Sequence, residues 1–328
     1  MTDRLTVRDS ALAGNSAALT TNLPKSAGGQ LIDMNANSGG IHVGDHIPTT
    51  VDHTAFLGNT VRTRGLRGEP VGFDSAMCMC GDSLLTMRDS LIAGNNLSAT
   101  MATTTDTGPA GDTLELDGGG SITGTKITSN TATVASPHGV AGNAGAGLAV
   151  YTFPPAKPRL VTLRGSVISG NTAIAKTSAG AATVQGVGIL TNSLLEADGD
   201  QISGNTGQAA GPAGVAQGGG IWNGVLISGP PVQLTLDHTR VTRNQVTGSA
   251  GVQVRGGGMY TTVPVTLIHS VLAGNRPGQC FGCASQALSR GSAAPAPAGA
   301  AARGHGPPAA ISSAAARRAG PAARHRSG

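Results

Sequence analysis

The chain has 328 residues, 51 of them Gly, only seven aromatic, and 12% charged. So little charge excludes a highly charged disordered protein, glycines without a period of three exclude collagen, and the lack of an apolar run of about eighteen residues excludes a membrane-spanning helix. The formal net charge of +5 resides at the C-terminus: residues 284–328 hold six Arg and no Asp or Glu, and the rest carries 16 basic against 17 acidic residues. A near-neutral body is not a nucleic-acid groove, so nucleic acid is not an expected partner.

Met1 is followed by Thr-Asp-Arg and not by an apolar segment, so no signal peptide opens the chain. Leu5 already lies in a repeat strand. This predicts that Met1 is an internal or misassigned start, with further coils and an export signal upstream.

The repeat reads Leu5-Thr-Val-Arg-Asp-Ser-Ala-Leu-Ala-Gly-Asn15. It returns as Leu85-Thr-Met-Arg-Asp-Ser-Leu-Ile-Ala-Gly-Asn95, as Val161-Thr-Leu-Arg-Gly-Ser-Val-Ile-Ser-Gly-Asn171, and as Val265-Thr-Leu-Ile-His-Ser-Val-Leu-Ala-Gly-Asn275. Weaker copies end at Asn59, Asn130, Asn205 and Asn244. Eight of the fifteen Asn occupy this position, at spacings of 44, 36, 35, 41, 34, 39 and 31 residues. Such a period marks a solenoid.

Apolar–Thr–apolar alternation at the start of each copy predicts a strand. A second apolar column follows at Leu12, Phe56, Ile92, Ile127, Ile168, Ile202, Val241 and Leu272. Between the two sits Ser or Thr, except at Asp200. A hydroxyl there suits a bend, because it can bond local backbone. The Asn column closes the coil as a structural ladder, since Asn tolerates left-handed backbone and its amide can bond the next coil's amide.

A glycine cluster followed by an apolar residue alternates with this motif: Gly39-Gly40-Ile41, Gly145-Ala-Gly147-Leu148, Gly186-Val-Gly188-Ile189, Gly218-Gly-Gly220-Ile221 and Gly256-Gly-Gly258-Met259. Read as two coils per unit, about eight units make about fifteen coils and a rod of roughly 70 Å. The expected fold is all-β, a single-stranded parallel β-helix over residues 1–283, with an Ala/Pro/Gly/Arg-rich disordered tail over 284–328. That tail is either a frameshifted sequence or a flexible linker.

The alternation of Gly-Gly-apolar with Phe56-Leu57-Gly58-Asn59 resembles the repeats of chlamydial polymorphic outer membrane proteins. More broadly, residues 1–283 resemble right-handed parallel β-helix proteins of the pectin-lyase-like class, common among bacterial exported proteins. The resemblance implies right-handedness and an extracellular or cell-surface location.

The four Cys form two close pairs, Cys78-Met79-Cys80 and Cys280-Phe281-Gly282-Cys283. Two such pairs can bind zinc, but here 200 residues separate them. A disulfide between Cys280 and Cys283, closing the last turn, is the expectation, with free thiols as the alternative. No metal or cofactor is expected. His53, His238 and His269 share a column with Asp9 and Asp89. With two coils per unit they stand roughly 10 Å or more apart, too far to share a metal.

Enzymes of the pectin-lyase-like class use clustered Asp with Arg or Lys on one face. The nearest candidates here are Asp198 and Asp200, in one strand phase after Glu196. Asp200 occupies the bend position, where a structural role is simpler. Trp222 and Tyr260, each just after a Gly triplet, point outward together and form a candidate sugar-stacking platform about 10 Å long; packing beneath a loop is the alternative. The sequence thus points to a non-enzymatic exported or cell-surface protein with an adhesion or glycan-binding role. The alternatives are a polysaccharide lyase or glycoside hydrolase, and a structural spacer or gene remnant.

Overall fold

A computed structural model describes residues 4–21, 26–27, 30–31, 34–65, 70–101, 112–153, 156–225 and 232–283. The tail 284–328 lies outside the described residues. These contain strands and no helix, hence no helix long and apolar enough to cross a membrane.

The strands stack into parallel sheets with a repeating order. The first sheet has eight strands, from Leu5–Arg8 to Val265–Ile268, and the second has eight, from Ala11–Ala13 to Val271–Ala273. The third has seven, from Ser16–Thr21 to Gln245–Gly248. The fourth has eight, from Ile41–Val43 to Cys280–Phe281. A shorter sheet of four strands, from Ala141–Ala144 to Val252–Arg255, lies between the third and fourth. The pairing of Ser26–Ala27 with Gln30–Leu31 is antiparallel. This arrangement is consistent with a parallel β-helix.

One repeat unit makes one coil, not two. Asn15, Asn59 and Asn95 sit on adjacent rungs, and each sheet takes a single strand from each unit. The Gly-Gly-apolar motif is the entry to the fourth sheet, a different side of the same coil. Eight coils span roughly 34 Å at about 4.8 Å per step, half the length expected from the sequence.

Alternation in the strands places every second side chain inside. The main core joins the inward columns of the first, second and fourth sheets, such as Val51–Met87–Ile122, Phe56–Ile92–Ile127 and Met77–Leu114–Leu148. Each of these large side chains contributes about 1.5–3 kcal/mol by leaving water. A second core, rich in alanine, lies between the third and short sheets, with Ala132, Ala173, Ala182, Ala209 and Ala216. Small side chains there let the two sheets lie close together.

Two polar ladders stitch the corners. The Oδ1 of each Asn from Asn59 to Asn275 accepts both the backbone N–H and the Nδ2 of the Asn one coil before, as Asn130 does for Asn95 at 2.9 Å each. Each Nδ2 also donates to an apolar residue's carbonyl one coil back, as Asn130 does to Ile92. Gln279 Oε1 takes the place of a ninth Asn beneath Asn275. A glycine faces the ladder across the coil: a Cβ on Gly188 would stand 2.8 Å from Asn205 Nδ2 and 2.6 Å from the Gly220 carbonyl. Ala76 and Thr113 hold the same register position in two coils, so the Gly motif accompanies the Asn motif without being required by it.

The second ladder runs through the bend column. Thr54, Ser90, Thr125, Ser166, Asp200 and Thr239 each give a backbone N–H to the side-chain oxygen one coil on.

Candidate functional site

The outer face of the fourth sheet gathers most of the uncommon chemistry in the chain. Register aligns the central residue of each strand into one outward column: His42, Cys78, Glu115, Ala149, Leu190, Trp222, Tyr260 and Phe281. The column runs from imidazole, sulfur and carboxylate through aliphatic to aromatic.

At the aromatic end, Trp222 and Tyr260 are neighbours in register, with stacked rings 6.3 Å apart. The sequence had set them two coils and about 10 Å apart, an error inherited from the coil count. Phe281 continues the stack at 5.2 Å and 3° from Tyr260, and the Arg255 guanidinium lies 4.7 Å over the Phe281 ring. Trp222 is only 4% exposed and donates its indole N–H to Gln217 Oε1. Its faces are packed, with Leu190 and Tyr151 in the same cluster. Phe281, at 42% exposed, and the half-buried Tyr260 are the rings within reach of solvent.

At the polar end, a group of acids surrounds the column. Asp74, Asp112 and Glu115 are buried, and Tyr151 donates its phenol O–H to Asp112 Oδ2 at 3.1 Å. Burial, then repulsion from Asp74, raises the Asp112 and Glu115 carboxyls well above the ordinary range. Burial likewise raises the Tyr151 phenol. Cys78 and Cys80 are joined by a disulfide, as are Cys280 and Cys283. These acids escaped sequence reasoning because Met77-Cys78-Met79 and Leu114-Glu115-Leu116 lack the glycine cluster that marked five of the other fourth-sheet strands. The apolar–x–apolar pattern shared with Ile41-His42-Val43 is the signal that would have aligned them.

Asp198 and Asp200 do not converge. Asp200 is buried in the bend ladder, where its Oδ1 accepts the Ser166 N–H at 2.6 Å. Asp198 is exposed on the first sheet, in a column with Arg164 and Asp237. Arg164, Glu196, Asp198 and Asp237 line a shallow groove on that sheet.

The histidine column is closer than the sequence suggested. His238 and His269 lie in successive coils with rings stacked 4.8 Å apart, and Asp237 Oδ1 is 2.7 Å and 4.0 Å from their Nδ1 atoms. Asp52, His53 and Asp89 repeat this construction. Both groups bring potential metal-ligand atoms within 4.8 Å of one another, so separation does not exclude a shared ion. All three histidines occupy the left-handed bend, at φ 46°.

Comparison of the chain with protein-family models, curated proteins and solved structures yields no match.

Proposed function

We propose that the chain is part of a non-enzymatic, exported or cell-surface protein, a single right-handed parallel β-helix of the pectin-lyase-like class, that binds a polysaccharide or cell-surface glycan along one wall. The observation that carries this reading is the strip formed by the stacked rings of Tyr260 and Phe281, capped by Arg255 and backed by the packed Trp222. Partly exposed rings stacked in register offer their apolar edges to a sugar ring, and a guanidinium beside them can bond hydroxyls or a uronate carboxylate. Trp222, fixed by Gln217, holds the strip in place rather than meeting the ligand.

The test is a screen of neutral and acidic polysaccharides, followed by titration of any binder against Tyr260→Ala and Phe281→Ala. Each substitution is expected to weaken binding about tenfold, the loss of one aromatic contact. Unchanged affinity in both would remove the strip as the site. A second reading is favoured by one observation, the groove in which Arg164 lies beside Asp198 and Glu196: a polysaccharide lyase or hydrolase. Release of unsaturated or reducing ends from an acidic polysaccharide, abolished in Asp198→Asn, would displace the binding reading.

A further inference from the structure

The polar end of the fourth sheet holds two overlapping sets of metal-ligand atoms that share one sulfur. His42, Cys78 and Cys80 form the first set; Asp74, Cys78 and Glu115 form the second. In each, the ligand atoms lie within 4.8 Å of one another. Register produces this overlap: His42, Cys78 and Glu115 occupy the same position on three successive strands. Cys80 follows two residues after Cys78, which returns it to the outer face.

We propose that Cys78 and Cys80, once reduced, bind a zinc-class divalent metal together with His42 Nδ1, and that the Glu115 carboxylate, within 4.8 Å of Cys78 Sγ, moves in as the fourth ligand. The donors are two thiolates, an imidazole and a carboxylate, the nitrogen, sulfur and oxygen mixture that zinc prefers. Cys80 Sγ already lies 3.8 Å from His42 Nδ1. The corresponding edge of a tetrahedral zinc site is ~3.5 Å, from Zn–S and Zn–N bonds of about 2.3 and 2.0 Å. Glu115 is 7% exposed and Cys78 1%, so the metal would be largely shielded, while exposed His42 provides the entry path.

A second, independent observation points to a cation here. Asp112 is fully buried beside the set, and its Oδ1 has no hydrogen-bond partner. Among the described residues, no Lys or Arg forms an ion pair with Asp112 or Glu115. Buried carboxylates are ordinarily paired or bound to metal.

The disulfide and the metal are mutually exclusive states of the same sulfurs. A dithiol reductant opens the Cys78–Cys80 bond by thiol–disulfide exchange. The reductant's two sulfurs join each other, and Cys78 and Cys80 receive the two electrons and two protons. Metal binding then displaces both thiol protons. The site is thus loaded only under reducing conditions, and it is independent of the proposed glycan strip.

The test uses the full chain, reduced with a phosphine, freed of metal and titrated with Co2+, whose thiolate charge-transfer and tetrahedral d–d absorption report the ligands. One equivalent giving a thiolate band is expected, with no such band from the oxidised chain. Cys78→Ser and Cys80→Ser are expected to abolish the charge-transfer band, and His42→Ala and Glu115→Gln to weaken binding about tenfold or more. Alkylation mapped by mass spectrometry serves the unsubstituted chain, so the result does not hang on whether a variant folds. Zn2+ is expected to protect Cys78 and Cys80. A reduced chain without a saturable thiolate band, binding unchanged in Cys78→Ser, or Cys78 and Cys80 alkylated as fast with Zn2+ as without would overturn the proposal.

Discussion

Asp200 stands in a column that the other coils fill with Ser or Thr, and its chemistry differs in one respect: a hydroxyl both accepts and donates, whereas a carboxylate only accepts. Ser90 accepts the Thr54 N–H while giving its own proton to the Arg88 carbonyl. Asp200 accepts from Ser166, but its Oδ2 is buried with no hydrogen-bond partner. Burial therefore raises its pKa to about 7, against the opposing pull of backbone N–H bonds from Ser166 and Asp198. The unfolded value is near 3.9. A raised carboxyl stabilises the fold fully below the unfolded value, and that stability is lost as pH rises through about 7. Asp200→Asn keeps the acceptor for Ser166 and removes the titration. At pH 8 the variant should be more stable than the parent by on the order of 2 kcal/mol, with the difference shrinking towards pH 5. Denaturant melts at the two pH values measure this; a gap independent of pH would show that Asp200 does not titrate in this window. The exceptional bend residue was visible in the sequence. Its burial, which turns an apparent catalytic candidate into a ladder rung, followed only from the fold.

At the scale of the element, the Asn ladder is the part most legible beforehand, because eight Asn share one column and one spacing rule. Its energetics depend on position along the stack. Asn130 accepts two bonds from Asn95 and donates to Ile92 and Asn171, all out of contact with water. Asn130→Ala strands the buried Asn95 N–H and takes one bond each from Asn95 Nδ2, Asn171 Oδ1 and the Ile92 carbonyl, and should cost about 3 kcal/mol. Asn15 is exposed, and its N–H and Nδ2 both donate to Asn59 Oδ1. Asn15→Ala should cost less than about 1 kcal/mol. Chemical denaturation of the two variants checks the contrast, and equal losses would mean that the ladder does not act through burial. The cap at Gln279 was not legible, since one Gln breaks the Asn pattern. The number of coils was misread for a related reason. Two motifs alternating in sequence look the same whether they mark two coils or two sides of one coil. Only the pairing of Asn59 with Asn95, one unit apart, distinguishes them.

For the molecule as a whole, stacking makes stability a sum over neighbouring coils. The second apolar column shows how evenly the load is carried: Phe56, Ile92, Ile127, Ile168, Ile202 and Val241 are buried, whereas Leu12 and Leu272 are only partly so. A coil with partners on both sides loses its packing and ladder bonds only when a neighbour opens, and the first and last described coils have one such partner each. Backbone hydrogen exchange should therefore be slowest in the strands Leu91–Ala93, Lys126–Thr128 and Val167–Ser169, and fastest in Ala11–Ala13 and Val271–Ala273. The same reasoning sets the cost of truncating the core. Ile127→Ala should lose about 3–4 kcal/mol, because the cavity has a coil above and below it, whereas Leu272→Ala should lose roughly half of that. It should also speed exchange in Val271–Ala273 without touching the centre. If Leu272→Ala instead accelerated exchange in Lys126–Thr128 as strongly as in its own strand, the coils would be opening as one cooperative block, and nearest-neighbour additivity would not describe this protein.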